Sequence, residues 1–540
     1  MPKLNNSSDP LALQTDVLIL GGGPAGAWAA LAAAEAGARV VLADKGYLGT
    51  SGATAPSNTG TWCVAPGENR QQNVDQRWQR TSGLGDKRWM LRSVDRTYEN
   101  LLKLAEWGYP FPHDEDGKLY IANLRGPDYM AFMRRRVLRA GVTVLDHHPA
   151  LELYSDGDAI TGAAGLDRQR NRDWRVDAKA VVLATGGCAF GERILGGSTL
   201  TGDGYLMAAE AGASLSGMEF TGKYTLAPHG SSLNKGLPFR WATFYREDGT
   251  PILDSTGAPL SNGIGEREKE IVNAMIEAPV FAKLDMADPA LQGWLRQGQP
   301  NCFTPYDRMG VDPFSDLFRV TFKAEGTVRG TGGIRVATSD CGTDVVGLYV
   351  AGDAASREHL TGAVSGGGAV NSSWAIASGW WSGQGAADYA KHQESRRFGA
   401  ISRPLGEAGL RPASSLKTGL TPKDVIESVR AEVIPLDKNY YRNGTGLLAS
   451  RDRVEAVWRD VRDHLSAEGL DRVRSREAAS IVASGRWSLT AALARQESRG
   501  MHRRTDFKAS NDALTRNIIL TGVDSIRVSG ETESRKDLAS

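Results

Sequence analysis

Four cysteines are spread over 540 residues, Cys63, Cys188, Cys302 and Cys341, with no CxxC pair and no metal-type spacing among them. That spacing excludes a zinc site, an iron–sulfur cluster and a haem attachment. No metal is expected, and free thiols of a reducing compartment are. No sign of charge dominates, since 64 Lys+Arg against 63 Asp+Glu leave a formal charge of +1. A broad nucleic-acid or anionic-membrane footprint is thereby excluded. Long apolar runs are missing too. The opening Met1-Pro2-Lys3-Leu4-Asn5-Asn6-Ser7-Ser8 has no apolar signal core, and the first apolar stretch is interrupted at Gly21-Gly22-Gly23-Pro24. Neither a signal peptide nor a membrane span is expected, and a cytoplasmic location is. With no repeat and no low-complexity tract, small-molecule chemistry is the class that remains.

Glycine is what the chain has in excess, 63 residues of 540, within a globular composition of 41% hydrophobic and 24% charged residues. The length calls for two or three packed units. Asp16-Val17-Leu18-Ile19-Leu20 reads as a buried parallel strand. The run from Ala27 to Ala36 is made almost entirely of helix formers and is closed by Gly37, a C-cap signal. Arg39 to Asp44 reads as the next strand, completing a βαβ unit. Between strand and helix stands Gly21-x-Gly23-Pro24-Ala25-Gly26, the context in which this glycine pattern marks a dinucleotide site. The first glycine permits the turn, the second admits the pyrophosphate, the third allows helix–strand packing, and the helix N-terminus faces the phosphates. Asp44, followed by Lys45, ends the second strand where a carboxylate can accept from the adenosine ribose.

Two further segments choose FAD over NAD. Ala180 to Ala184 leading into Thr185-Gly186-Gly187, and Gly347 to Ala351 leading into Gly352-Asp353, resemble the returning strands of FAD-binding flavoproteins, in which the final Asp holds the ribityl chain. Thr201-Gly202-Asp203-Gly204, Met218-Glu219-Phe220, Gly332-Gly333-Ile334 and Arg495-Gln496-Glu497-Ser498-Arg499-Gly500-Met501-His502-Arg503-Arg504-Thr505-Asp506-Phe507 resemble the succinate dehydrogenase and fumarate reductase flavoproteins with L-aspartate oxidase. The resemblance spans about residues 15 to 512. It implies an α/β fold: a split Rossmann-like FAD-binding domain (13–221 and 331–394), an inserted α+β capping domain (222–330) and a C-terminal helical domain (395–525). Glu531 to Asp537 reads as a frayed tail. Ser51, Gly52 and Thr54 are expected near the isoalloxazine, and Asp203, Asn371 and Ser372 complete the cofactor set. Respiratory members carry a histidine just after the first βαβ unit; Gly46 to Gly60 has none, so FAD is expected to be non-covalent.

The departures bear on function. The family's carboxylate-gripping histidine and arginine stand in HYxMGGI and RLGGN blocks. Here the first reads Val328-Arg329-Gly330-Thr331-Gly332-Gly333-Ile334, and Thr361 to Asn371 contains no arginine. A dianion without bidentate cationic partners loses several kcal/mol, which argues against succinate and fumarate and weakens the case for L-aspartate. Arg246 in Tyr245-Arg246-Glu247-Asp248-Gly249 resembles the family's proton-transfer arginine. Tyr224 and His229 lie in the stretch that supplies a substrate histidine, and Arg499 and His502 are candidates to face flavin or substrate. No second nucleotide fingerprint occurs, leaving oxygen, a quinone or a redox protein as electron partner, with a homo-oligomer open. An FAD-dependent oxidoreductase of a small organic substrate is the leading expectation. A subunit resembling adenylylsulfate reductase with an iron–sulfur partner, and a non-catalytic flavin-binding interaction protein, are the alternatives.

Overall fold

The computed structural model describes residues 10–393, 402–414, 416 and 418–530; the tail read from Glu531 to Asp537 lies outside them. Three elements found in the sequence take shape as β1 (Leu11–Leu20), α1 (Pro24–Glu35) and β2 (Val40–Ala43). Val17 to Leu20 are at most 1% exposed, because both faces of this strand are covered, and that is why the run is continuously apolar rather than alternating. β1 pairs in parallel with β2, Val17 opposite Val40, and in parallel with Arg172–Leu183, Val17 opposite Ala180. Leu348–Val350 adds to the end of Arg172–Leu183 through Val181, Val182 and Leu183. The strands expected at 180–184 and 347–351 therefore share one sheet. Ala150–Ser155 and Ile160–Asp167 extend it as an antiparallel meander, so the sheet is mixed.

On one face α1 packs against the long helix Gly367–His392. Trp28 of α1 is fully buried and its indole N–H donates to the Tyr129 hydroxyl at 2.7 Å. Burial of a ring of that size is worth about 3 kcal/mol.

Residues 224–324 build a separate antiparallel sheet in the order Tyr224–Pro228, Phe318–Ala324, Phe281–Lys283, Thr243–Tyr245. Its own core includes Phe239, Phe244, Phe303 and Tyr306, and it recruits Tyr440 from the C-terminal part. The C-terminal helical domain expected at 395–525 contains the helices Pro422–Val433, Gly444–His464 and Asp471–Ala494. Thr421 and Asp424 form a reciprocal capping box on the first of these. After the helices the chain returns as a hairpin, Ile518–Thr521 with Arg527–Gly530, which pairs with Leu215–Ser216. Four-residue strands are too short for periodicity to reveal. The C-terminal part is thus helical but ends in a sheet shared with the FAD-binding part.

Candidate functional site

A groove runs along the C-terminal ends of β1, β2 and the two returning strands and extends to Lys235, Val328 and Arg329. The glycine loop forms one wall. Gly21 has φ +111°, and a Cβ there would stand 2.3 Å from the Ala184 carbonyl. At Gly26 a Cβ would stand 1.8 Å from the Gly21 carbonyl, so this residue packs the turn against α1 and does not line the groove. Every other residue expected to hold the cofactor lines it: Gly21, Gly23, Pro24, Ala25, Asp44, Lys45, Ser51, Gly52, Thr54, Ala184, Thr185, Gly186, Asp203, Gly352, Asp353, Asn371 and Ser372.

Three features fit the groove to a flavin dinucleotide. Thr185 Oγ1 and Asn371 Oδ1 are buried polar atoms without a protein partner, both on residues of the groove wall, and such orphans signal a missing ligand. The glycine loop leaves the N-terminus of α1 facing the groove without a side-chain cap, as a pyrophosphate site requires. Asp353 pairs with the fully buried Arg357 through one carboxylate oxygen. The other oxygen is left for a hydroxyl such as the ribityl chain bears.

Asp44 and Lys45 are more committed than the sequence suggests. Asp44 is 4% exposed and accepts from the Gly22 and Gly46 amides and the Ser51 hydroxyl. It braces the loop and keeps little free capacity for a ribose. Lys45 spends its three donors on Thr201 (3.0 Å), Asp203 (2.8 Å) and Glu477 (3.0 Å). Burial opposes its charge, but Asp203 and Glu477 overcome this and raise its pKa above the ordinary lysine value.

The five catalytic candidates stand elsewhere; none lines the groove. Arg246 sits on the outside, bonded to the Ala274 carbonyl at 3.1 Å and to the exposed Glu277 at 3.2 Å. His229 is exposed at the end of its strand. Tyr224 is 1% exposed, donates to the Ile434 carbonyl at 2.7 Å and accepts from Asn439 at 3.0 Å. Burial lifts its phenol well above the usual range. Arg499 grips Glu497 bidentately at 2.7 and 2.9 Å and bonds the Asn511 carbonyl and Thr515 hydroxyl, both at 3.0 Å. His502 is fully buried between Arg442, 2.7 Å from Nδ1, and the Arg495 carbonyl, 3.0 Å from Nε2. Burial, then the neighbouring Arg442 guanidinium, holds its pKa well below the ordinary value, so the ring is neutral. With Nδ1 accepting from a guanidinium, the proton sits on Nε2. The C-terminal motif is thus a buried brace in which Arg495 joins Glu219 (2.8 Å) to Glu497 (2.7 Å).

Comparison with known proteins accords with this geometry. A model described as an FAD binding domain matches residues 16–130 and 122–276, and one described as the fumarate reductase flavoprotein C-terminus matches 439–532. The chain belongs to the succinate dehydrogenase and fumarate reductase flavoprotein family. It is a divergent member and an FAD-dependent oxidoreductase. An uncharacterized FAD-dependent oxidoreductase of Methanocaldococcus jannaschii is 24% identical, over 94% of this chain and 97% of the relative. L-aspartate oxidase of Streptomyces coelicolor is 24% identical, over 94% and 91%. Among solved structures, the E. coli quinol fumarate reductase flavoprotein gives TM-score 0.79 at 21% identity, covering 98% of each chain. Adenylylsulfate reductase of Archaeoglobus fulgidus gives 0.76 at 17%, again covering 98% of each. Likeness at that identity speaks for the fold alone. Among the described residues no helix of this flavoprotein is long and apolar enough to cross a membrane, and no His/Cys/Asp/Glu group is arranged for a metal.

Val328, the residue at which the resemblance implies a carboxylate-gripping histidine, is 3% exposed and packed with Leu200, Ile194 and Ala53. The arginine nearest to Thr361–Asn371 in sequence, Arg357, is consumed: it bonds the Thr327, Val328 and Gly330 carbonyls as well as Asp353. Sequence reasoning missed Arg357, and it missed Lys235 and Arg329, two cations that line the groove together with Lys45. Their only sequence signal was the Val328-Arg329 substitution itself.

Proposed function

We propose that this flavoprotein moves a hydride between flavin and a small organic substrate other than succinate or fumarate, exchanging the electrons with oxygen, a quinone or a redox protein. The observation that supports this reading is the pair of vacated carboxylate-gripping positions, one filled by the buried, apolar Val328 and the other without any arginine. FAD held by the glycine loop, Asp353, Thr185 and Asn371 would supply hydride chemistry at N5, and orienting the substrate and managing its proton falls to the protein. Ala53, Leu200 and Val328 present an apolar wall to the groove, excluding water and strengthening every charge interaction beside it.

Equilibrium titration of the FAD-loaded protein with succinate and malonate tests this. Neither is expected to perturb the flavin spectrum at concentrations that saturate an ordinary dicarboxylate enzyme. Saturable perturbation by succinate would overturn the reading. If no member of a broad substrate panel bleached the flavin anaerobically, and no acceptor reoxidised the dithionite-reduced protein, a non-catalytic flavin-binding role would replace it.

A further inference from the structure

Resting on that reading, we propose that Lys235 and Arg329 hold one anionic group of the substrate. The substrate class is then an organic monoanion with an apolar body, a single carboxylate or sulfonate head rather than a dicarboxylate.

The two cations of the groove's capped end differ from the one at its cofactor end. Lys45 has a protein acceptor for each of its three N–H bonds. Lys235, on the loop after Tyr224–Pro228, reaches across to the cofactor-binding part and makes one side-chain hydrogen bond among the described residues, to Ser57 Oγ at 3.2 Å. Two of its donors are unspent. Arg329 closes the short helix Gly326–Arg329, and its Nε lies 3.3 Å from Glu325 Oε2 as an ion pair without hydrogen-bond geometry, leaving its terminal amino groups without a protein acceptor among the described residues. Glu325 itself is 1% exposed and tied to the Thr225 hydroxyl.

Counting charge at this end decides the class. Lys235 and Arg329 contribute two positives and Glu325 one negative, while Asp353 and Arg357 cancel each other. One positive charge is left over, enough for one anionic group and short of two. A guanidinium fork beside an ammonium with spare donors suits a head with two or three equivalent oxygens. The apolar wall of Ala53, Leu200 and Val328 suits a hydrocarbon or aromatic remainder. Burial, then the facing Arg329 guanidinium, pulls the Lys235 pKa below the ordinary 10.5, with Glu325 and Cys302 acting in the opposite sense. A buried ammonium with spare donors in a cleft is the setting in which functional groups are found.

The test titrates the FAD-loaded full chain with sodium acetate, methanesulfonate and malonate at constant ionic strength, reading the flavin absorption and the heat of binding. Acetate and methanesulfonate are expected to bind saturably, and malonate to leave the flavin unperturbed. Lys235→Ala and Arg329→Gln should each weaken both monoanions by about thirty-fold or more. Lys235→Arg should stay within a few-fold of the original, and FAD affinity should hold within about two-fold in all three variants. Monoanion affinity unchanged in Lys235→Ala and Arg329→Gln would overturn the assignment, as would weakened FAD binding in Lys235→Ala, which would give the cation to the cofactor. Malonate binding far tighter than acetate, still lost in the variants, would instead overturn the dicarboxylate exclusion on which the class rests.

Discussion

Replacing Glu497 with Gln separates the two roles open to the C-terminal motif. Glu497 is 1% exposed and accepts four hydrogen bonds: from Arg495 Nη1 (2.7 Å), Arg499 Nε (2.7 Å), Arg499 Nη2 (2.9 Å) and the Asn511 amide (2.7 Å). Burial works to raise its pKa, yet the bonds from Arg499, Asn511 and Arg495 keep it below the ordinary carboxylate value. A glutamine keeps the volume and removes the charge, and its amide nitrogen meets a donor where an acceptor is needed. Of the two guanidiniums, 1% and 6% exposed on their side chains, Arg495 is left with Glu219 and Arg499 with no other ion pair among the described residues. Breaking a buried pair costs about 3–5 kcal/mol, which makes opening of the segment about 10²–10⁴-fold more frequent. Hydrogen exchange of the amides from Arg495 to Arg516, measured under conditions where exchange reports the opening equilibrium, should accelerate by that factor. The rate of flavin reduction per FAD-loaded molecule should be unchanged, because none of these groups lines the groove. Unaltered exchange with a reduction rate lowered tenfold or more would refute the brace and return Arg499 and His502 to the reaction.

Gly21→Ala forces a side chain into a φ of +111° and against the Ala184 carbonyl; FAD affinity should fall about tenfold or more, and retention of the original affinity by fluorescence titration would contradict the loop geometry. Arg246→Ala should leave the stopped-flow reduction rate within about two-fold, since its partner is the exposed Glu277; a drop of about tenfold would place Arg246 in the reaction. His502 is neutral when folded because its pKa is depressed. Its contribution to stability is therefore complete above the unfolded value near 6.5 and is lost as pH falls below it, by about 1.4 kcal/mol per pH unit. Chemical denaturation between pH 7 and pH 5 should show this slope, and His502→Gln should lack it. Binding of acetate to Lys235 should weaken as pH rises through the lowered lysine pKa, and an affinity flat up to pH 10.5 would count against that residue.

The cofactor half of the groove was legible in the sequence because its constraints are local. A turn that needs glycine at Gly21, a helix start at Pro24 and a strand end at Asp44 lie within one βαβ unit, and each leaves a signature over a few residues. The short returning strands Leu215–Ser216 and Ile518–Thr521 leave none, so a helical reading of the C-terminal part missed the sheet that ends it. The C-terminal motif was visible, but its meaning was not. Whether Arg499 and His502 point at a substrate or at Glu497 and Arg442 depends on which donors the surrounding backbone already occupies. Lys235 was invisible for a related reason: its partner Ser57 lies 178 residues away, and no spacing rule connects them. The missing dicarboxylate ligands were legible as absences, and the structure adds that Arg357 cannot replace them.

Anaerobic stopped-flow mixing of the FAD-loaded protein with succinate, and separately with a panel of organic monoanions, tests the central claim most directly. The oxidised-flavin band should persist with succinate and bleach with at least one monoanion, at a rate that falls in Lys235→Ala. Rapid bleaching by succinate, undiminished in that variant, would contradict the account.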